Sequence, residues 1–253
     1  MKRNSIYLMD NTELMKSIKS KELDLIYSDI LYGTNKNFGQ YKDIKSNKED
    51  VFKFYVERMK EMHRILKDSG SIILQMDKKI NHWIRTILDD IFGYNNFMNE
   101  ITWCYSGGGV SKKKFSPKSD VLIWYKKGET YTFNPQYIPY TGIQKAHPYS
   151  KDREFKSNRG KHLEDWWSDI NSFGGSTNHI ERREIGYPTQ KPESLMKRVI
   201  DAWSNERDFV GDFFMGSATF LKVAAESRRN FIGCDNSEEA YNVAKKRLDK
   251  VLE

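Results

Sequence analysis

Cysteine is nearly missing from this chain of 253 residues: Cys104 and Cys234 stand far apart, each after a strand-like run. A disulfide scaffold is therefore excluded, and two reduced structural thiols are expected. The five histidines, His63, His82, His147, His162 and His179, show no metal-ligand spacing, so no metal site is expected. No apolar run approaches the ~20 residues that span a bilayer. The opening "MKRNSIYLMDN" also lacks the apolar stretch of a secretion signal, so the chain is expected in the cytoplasm without a membrane partner.

Positive charge is present, and it is concentrated. The chain has 42 Lys and Arg against 35 Asp and Glu, a net of +7. Residues 106–162 hold twelve basic and four acidic residues, a net of +8, which leaves the remainder near −1. The same segment contains Phe115, Trp124, Tyr125, Tyr131, Phe133, Tyr137, Tyr140, Tyr149 and Phe155. Basic residues interleaved with aromatics suit a phosphate backbone and exposed bases, and a solvated Lys-rich loop with its own small core is the plainer alternative. On the first reading Lys112, Lys113, Lys114, Lys118, Arg153 and Arg159 are the candidate phosphate contacts.

Outside that segment strand and helix signals alternate. Residues 23–27 read as a short buried strand, and Val51, Tyr55, Met59, Met62 and Leu66 mark one face of a helix over 49–67. "DSGSIILQM" supplies a Gly turn and a strand over 71–76; a helix over 79–91 follows, and then the strand "NEITWCY". Beyond Tyr187 come a helix over 192–205, a strand over 209–213, a helix from about 218, a strand over 230–234 and a closing helix over 238–252. This alternation predicts an α/β fold, a doubly wound, mostly parallel sheet with helices on both faces. Residues 106–185, with "SGGGVSKKK", "NPQYIPY" and "SFGGSTN", break the rhythm and read as an insertion. The chain thus divides into 1–105, 106–185 and 186–253.

The most diagnostic stretch is "DFVGDFFMGSATFLKVAAESRRNFIGCDNSEEAY". A strand ends near Asp212, Gly216 and Ser217 allow a tight turn into a helix, and the next strand delivers Asp235 to its carboxyl end. An acid about twenty residues beyond a Gly turn is placed to take the two hydroxyls of a ribose. "MGSATF" lacks the three-glycine spacing that brings a pyrophosphate to a helix. Asp212 beside the turn would repel phosphates and suit a cationic ligand such as the sulfonium or ammonium of S-adenosylmethionine.

Taken with "GYPTQKP" at 186–192, this stretch resembles the beta class of DNA amino-methyltransferases, in which the catalytic motif precedes the cofactor motif. The similarity runs over nearly the whole chain. The family's cofactor motif, Asp-Pro-Phe-x-Gly-Ser-Gly-Thr, is matched at Asp212, Phe214, Gly216, Ser217 and Thr219, with Phe213 and Ala218 replacing the Pro and second Gly. The resemblance implies a Rossmann-like methyltransferase fold with circularly permuted motifs and S-adenosylmethionine as cofactor. It makes 1–105 the catalytic half, 106–185 the region that recognises double-stranded DNA, and 186–253 the cofactor half. It also assigns Asp10 to the cofactor adenine, and it makes a homodimer and a cognate restriction endonuclease partners to look for.

By the same resemblance "SDILYG" in "LDLIYSDILYG" is the catalytic motif: Asp29 and Tyr32 match, while Ile30 and Leu31 replace two prolines. The expected chemistry is transfer to the N6 amine of a flipped adenine. The Asp29 carboxylate and the Ile30 carbonyl accept the two amine hydrogens, and the Tyr32 ring stacks on the base. Ser28 keeps N4-cytosine open as the target, and the degenerate "DILY" keeps open an inactive module that binds DNA and cofactor. Because proline stiffens a loop, Pro at positions 30 and 31 is expected to raise turnover or leave it unchanged. Lys191 is expected on the cofactor carboxylate or at the surface; "DWW" at 165–167 leaves base reading open, with buried tryptophans bracing the insertion the favoured reading.

Overall fold

The computed structural model describes residues 2–35, 43–45, 47–107, 110–139, 160–173, 185, 187 and 189–252. Of the candidates above, Arg153, Arg159, Tyr140, Tyr149, Phe155, His147 and His179 lie outside the described residues. The first half of the chain forms β1 (Ser5–Leu8), α1 (Asn11–Ser17), β2 (Leu23–Asp29), α2 (Lys48–Ile65), β3 (Leu66–Met76), α3 (Asn81–Phe92), β4 (Phe97–Cys104) and β5 (Ser119–Lys126). Short strands β6 (Tyr137–Ile138), β7 (Lys161–His162) and β8 (Trp166–Trp167) follow. The last part holds α4 (Glu193–Trp203), β9 (Phe209–Asp212), α5 (Thr219–Glu226), β10 (Asn230–Asp235) and α6 (Glu238–Leu252).

The main sheet has the order β1-β10-β9-β2-β3-β5-β4-β8. Pairing is parallel from β1 through β3, and β5 runs antiparallel to both β3 and β4. Strands in the parallel part are apolar on both faces because helices cover both, as expected for buried parallel strands. From Leu25 on, β2 side chains alternate: Ile26 lies in the core with Tyr55, Met59 and Met62 of α2, and Leu25 and Tyr27 lie on the opposite face with Val199 of α4 and Phe220 of α5; a register shift between Leu23 and Leu25 puts Leu23 on the Ile26 side. The helices begin where sequence dictates. Asn47 caps α2 by accepting from the Asp50 N–H at 2.9 Å, and Asp10 caps α1 by accepting from the Thr12 N–H at 2.8 Å.

Residues 119–126 depart from the expected insertion. As β5 they lie in the main sheet between β3 and β4, and Val121, Leu122, Ile123, Trp124 and Tyr125 are all buried. Trp124 stacks on Phe133 at 5.2 Å and meets Trp203 of α4 at 5.3 Å; Tyr125 reaches Asp89 of α3. Part of the aromatic excess is therefore core, because a strand covered on both faces needs large side chains on each. Trp167 is buried as a brace against Trp203, with the Arg198 guanidinium over its ring, whereas Trp166 beside it is exposed.

The topology places the ligand crevice. From β2 the chain crosses by α2 to β3 on one face, and from β9 it crosses by α5 to β10 on the other. β2 and β9 are neighbours, so the two crossovers diverge between them and leave an opening at their carboxyl ends. No described helix is long and apolar enough to cross a membrane.

Candidate active site

A crevice of about 540 Å³ occupies this switch point, lined by Asp29, Ile30, Tyr32 and Lys191 on one side and Asp10, Asp212, Phe214, Gly216, Ser217, Thr219 and Asp235 on the other. Residues more than 180 positions apart in sequence thus share one cavity, as the motif order implied.

On the β2 side polar side chains bind one another. The Tyr32 hydroxyl lies 2.8 Å from Asp29 Oδ1 and 2.8 Å from Asp120 Oδ2. Lys191 Nζ donates to Asp29 Oδ2 at 2.6 Å and to the Tyr32 oxygen at 2.9 Å. Asp120 also accepts from Tyr105 at 2.9 Å and from Gln75 Nε2 at 2.9 Å, and Gln75 Oε1 accepts from Tyr27 at 2.7 Å. Burial pushes the Asp29 carboxyl up, Lys191 offsets only part of this, and the Asp120 charge adds to it. For Lys191 burial alone would lower the ammonium, but Asp29 and Asp120 outweigh it and hold the group above its usual range.

Two expectations change here. Lys191 is not at the surface: its buried ammonium needs an acid, and it binds Asp29 at 2.6 Å with Asp120 at 3.9 Å. Proline at position 30 is no longer expected to be harmless, because the Ile30 N–H donates to the Gln75 carbonyl at 3.0 Å and proline has no N–H. The loop that lacks prolines is held by hydrogen bonds instead. Tyr55 donates to the Leu31 carbonyl at 2.9 Å, and Asp43 accepts from the N–H groups of Gly33 at 3.1 Å and Thr34 at 2.6 Å.

The β9–β10 side is built from backbone. Asp235 Oδ2 accepts from Gly216 N–H at 2.9 Å and Oδ1 from Ser237 N–H at 2.9 Å. Gly216 has φ +48, and a Cβ there would sit 3.4 Å from the Tyr187 ring. Asp212 accepts from Ser28 Oγ at 3.1 Å and from Phe214 N–H at 3.0 Å, and burial pushes its carboxyl up to about 8. Arg247 of α6 pins the turn from below, donating to the Ser217 carbonyl at 2.7 Å and to Thr219 Oγ1 at 2.8 Å. At the far end Arg58 donates to Asp10 at 3.0 Å and to Asn11 at 2.8 Å, and lies over the Phe54 ring. Burial would raise the Asp10 carboxyl, but the bonds from Thr12 and Arg58 hold it below its usual value.

These groups fit S-adenosylmethionine. Asp235 offers fixed carboxyl oxygens for ribose hydroxyls, Phe54 and Phe214 offer apolar walls for a purine, and the buried Asp212 offers a carboxyl whose charged form a cationic ligand would favour. Among the described residues no group of His, Cys, Asp and Glu could hold a metal ion.

Lys112, Lys113 and Lys114 are exposed on the loop between β4 and β5, where the Ser111 hydroxyl accepts from the N–H groups of Lys113 and Lys114, both at 3.3 Å. Lys118 closes that loop by donating to the Gly107 carbonyl. Sequence reasoning missed Asp120, Gln75, Tyr105 and Arg58. The available signal for the first two was a polar residue at the edge of an apolar run, "SDVLIWY" and "SIILQM".

A doubly wound sheet with an adenosyl-type crevice at its switch point, and an acid–aromatic pair on the neighbouring strand end, defines the class: an S-adenosylmethionine-dependent methyltransferase. The family described as DNA methylase, the N6/N4 methyltransferases, matches residues 23–246. The type II methyltransferase M.HpaI of Haemophilus parainfluenzae is 32% identical over 93% of this chain and 71% of its own. The DNA adenine methyltransferase YhdJ of Escherichia coli is 34% identical over 93% of this chain and 79% of its own. Among solved structures, the cytosine-N4-specific PvuII DNA methyltransferase superposes with a TM-score of 0.69 at 17% identity, covering 100% of this chain and 91% of that one, a likeness of fold. The chain belongs to the N6/N4 DNA methylase family. It is a DNA methyltransferase with S-adenosylmethionine as its methyl donor.

Proposed function

We propose that the chain methylates the N6 amine of an adenine flipped out of duplex DNA, at a specific sequence within a restriction–modification system. The observation that carries this reading is Asp29 at the carboxyl end of β2, facing the crevice that Asp212 and Asp235 enter from β9 and β10. Bound S-adenosylmethionine supplies a methyl group on a positively charged sulfur. Asp235, Asp10, Phe214 and the turn at Gly216, Ser217 and Thr219 hold its adenosyl part, and Asp212 faces a cationic centre.

The target amine is a weak nucleophile because its lone pair is delocalised into the ring. Asp29 and the Ile30 carbonyl accept its two hydrogens and favour the pyramidal nitrogen that reacts. Flipping the base costs a few kcal/mol, and stacking on an aromatic ring recovers roughly 1–3 kcal/mol. Tyr32 supplies that ring, and its tethered hydroxyl fixes the plane before the base arrives. Lys191 offsets part of the cost of charging the buried Asp29. Lys112, Lys113, Lys114 and Lys118 meet backbone phosphates from the loop beside Asp120, and Arg153 and Arg159 extend the same basic segment.

Ser28 supports adenine over cytosine N4. It is buried, its hydroxyl bonds Asp212, and it accepts from the Phe213 N–H at 3.2 Å, so Asp29 is left as the acceptor in the crevice. A homodimer, a cognate endonuclease and a cytoplasmic location complete the proposal. The test is mass spectrometry of nucleosides from mixed-sequence DNA incubated with protein and S-adenosylmethionine. N6-methyladenine that vanishes with Asp29→Ala supports the reading. N4-methylcytosine overturns the choice of base, and cofactor binding without any methylated base across many sequences overturns the activity.

A further inference from the structure

Tyr32 presents a problem of proton count. Its oxygen has two carboxylate oxygens at 2.8 Å, from Asp29 and Asp120, and the Lys191 ammonium at 2.9 Å. A phenol has one proton to donate, so it serves one acid at a time. The other contact becomes a hydrogen bond only when that second carboxyl carries a proton itself.

The surroundings favour Asp120 as the acid that receives the phenolic proton. Asp120 is 4% exposed, and two further donors, Tyr105 on Oδ1 and Gln75 on Oδ2, already point at it. The Gln75 amide is oriented by Tyr27, which donates to its oxygen and so leaves its nitrogen facing Asp120. Asp120 thus sits as an acceptor among fixed donors, 3.9 Å from Lys191. Asp29 has Lys191 as its strong donor, and its contact with Tyr32 wants a proton.

We propose that Asp120 is a positioning residue that acts on Asp29 through Tyr32. By claiming the single phenolic proton it leaves Asp29 short of a donor, and so makes Asp29 the group that takes the proton released by the methylated amine. The inference rests on Asp29 as the amine acceptor. In the step itself the nitrogen–carbon bond forms as the carbon–sulfur bond breaks, and one N–H proton of the resulting ammonium passes to the Asp29 carboxylate. The secondary amine is then neutral and Asp29 is a carboxylic acid, which returns its proton to solvent when product leaves.

The groups that face Asp29 define the pH dependence. They are Lys191 ahead of α4, Asp120 of β5, Tyr32 on the adjoining loop and, at longer range, Asp212 of β9. Tyr27, Tyr55 and Tyr105, from β2, α2 and the end of β4, also feel its charge. Burial is the largest contribution raising the Asp29 carboxyl, and the Asp120 charge acts in the same direction. Removing that charge should make Asp29 ionise at lower pH.

The experiment is single-turnover methyl transfer to duplex DNA as a function of pH for wild type, Asp120→Asn, Tyr32→Phe and the double variant, with cofactor affinity measured calorimetrically on each. Asp120→Asn should move the acid limb about one pH unit lower and cut the plateau rate about tenfold, with cofactor affinity unchanged. Tyr32→Phe removes one oxygen and tests the bridge even where Asp120→Asn folds poorly. With the bridge gone, Asp120→Asn should move the limb less in the Tyr32→Phe background than in wild type, so the two changes are not additive. An acid limb unmoved in both single variants, or shifts that add in the double, overturns the inference. Asp29→Ala separates the two levels: transfer that survives it overturns the reading of Asp29, whereas its loss beside an unmoved limb overturns the role of Asp120 alone.

Discussion

The two halves of the crevice are held by different means. At the end of β2 the acids Asp29 and Asp120 are held by other side chains, Tyr32, Lys191, Gln75 and Tyr105, and Asp29 changes its hydrogen bonding with its protonation. At the ends of β9 and β10 the acids Asp212 and Asp235 are held mostly by backbone N–H groups of Phe214, Gly216 and Ser237, which carry no titratable proton. The first arrangement suits a group whose proton affinity must change during a reaction. The second suits a ligand that must be bound in the same pose at every turnover.

This contrast predicts separable damage. The largest effect is Asp29→Ala, which should lower the transfer rate by about 10³-fold or more at saturating cofactor and DNA, read by single-turnover kinetics. Asp235→Asn should weaken cofactor binding about 10- to 100-fold in a calorimetric titration and leave the rate at saturation nearly intact. Ile30→Pro deletes the bond to the Gln75 carbonyl and should cost about 1–3 kcal/mol of stability in denaturant unfolding, with turnover lowered.

A smaller effect follows from Asp212, whose carboxyl is raised from 3.8 to about 8 by burial. A bound cation favours its charged form, so binding below that pH must release a proton. Cofactor affinity should fall by up to about tenfold per unit as pH drops below the raised value, level off above it, and lose this dependence in Asp212→Asn. In the free protein the sign is opposite. The folded state binds the extra proton between 3.8 and about 8, so this group's contribution to stability declines as pH rises through that window. The smallest effect is Ala218→Gly. Ala218 is buried at φ 54 and ψ 36, in the left-handed region, and glycine should raise stability by about 1 kcal/mol in thermal unfolding.

What was legible in the sequence follows the same division. Asp212, Gly216 and Asp235 belong to one continuous strand–turn–helix–strand unit, so their spacing alone placed them at successive strand ends. The helix α2 was readable from periodicity and differs from its expected bounds by one or two residues, whereas the short α1 was not read. The polar network was not readable, because Tyr32 and Asp120 are 88 positions apart and meet only when β5 enters the sheet beside β3. β5 was hidden for a physical reason: buried on both faces, it shows no alternation, and its Trp and Tyr look like the aromatics of a nucleic-acid surface. The pairing of Lys191 with Asp29 was not readable because nothing in "TQKP" says which acid will lie opposite.

The central claim is that one cavity contains two sites with separate duties, and calorimetric titration of S-adenosylmethionine into Asp29→Ala tests it most directly. The account predicts an affinity within about twofold of wild type, since a single removed acceptor outside the adenosyl contacts changes little, in a protein that no longer methylates DNA. A loss of binding as large as that of Asp235→Asn would contradict it, because Asp29 would then be part of the cofactor site.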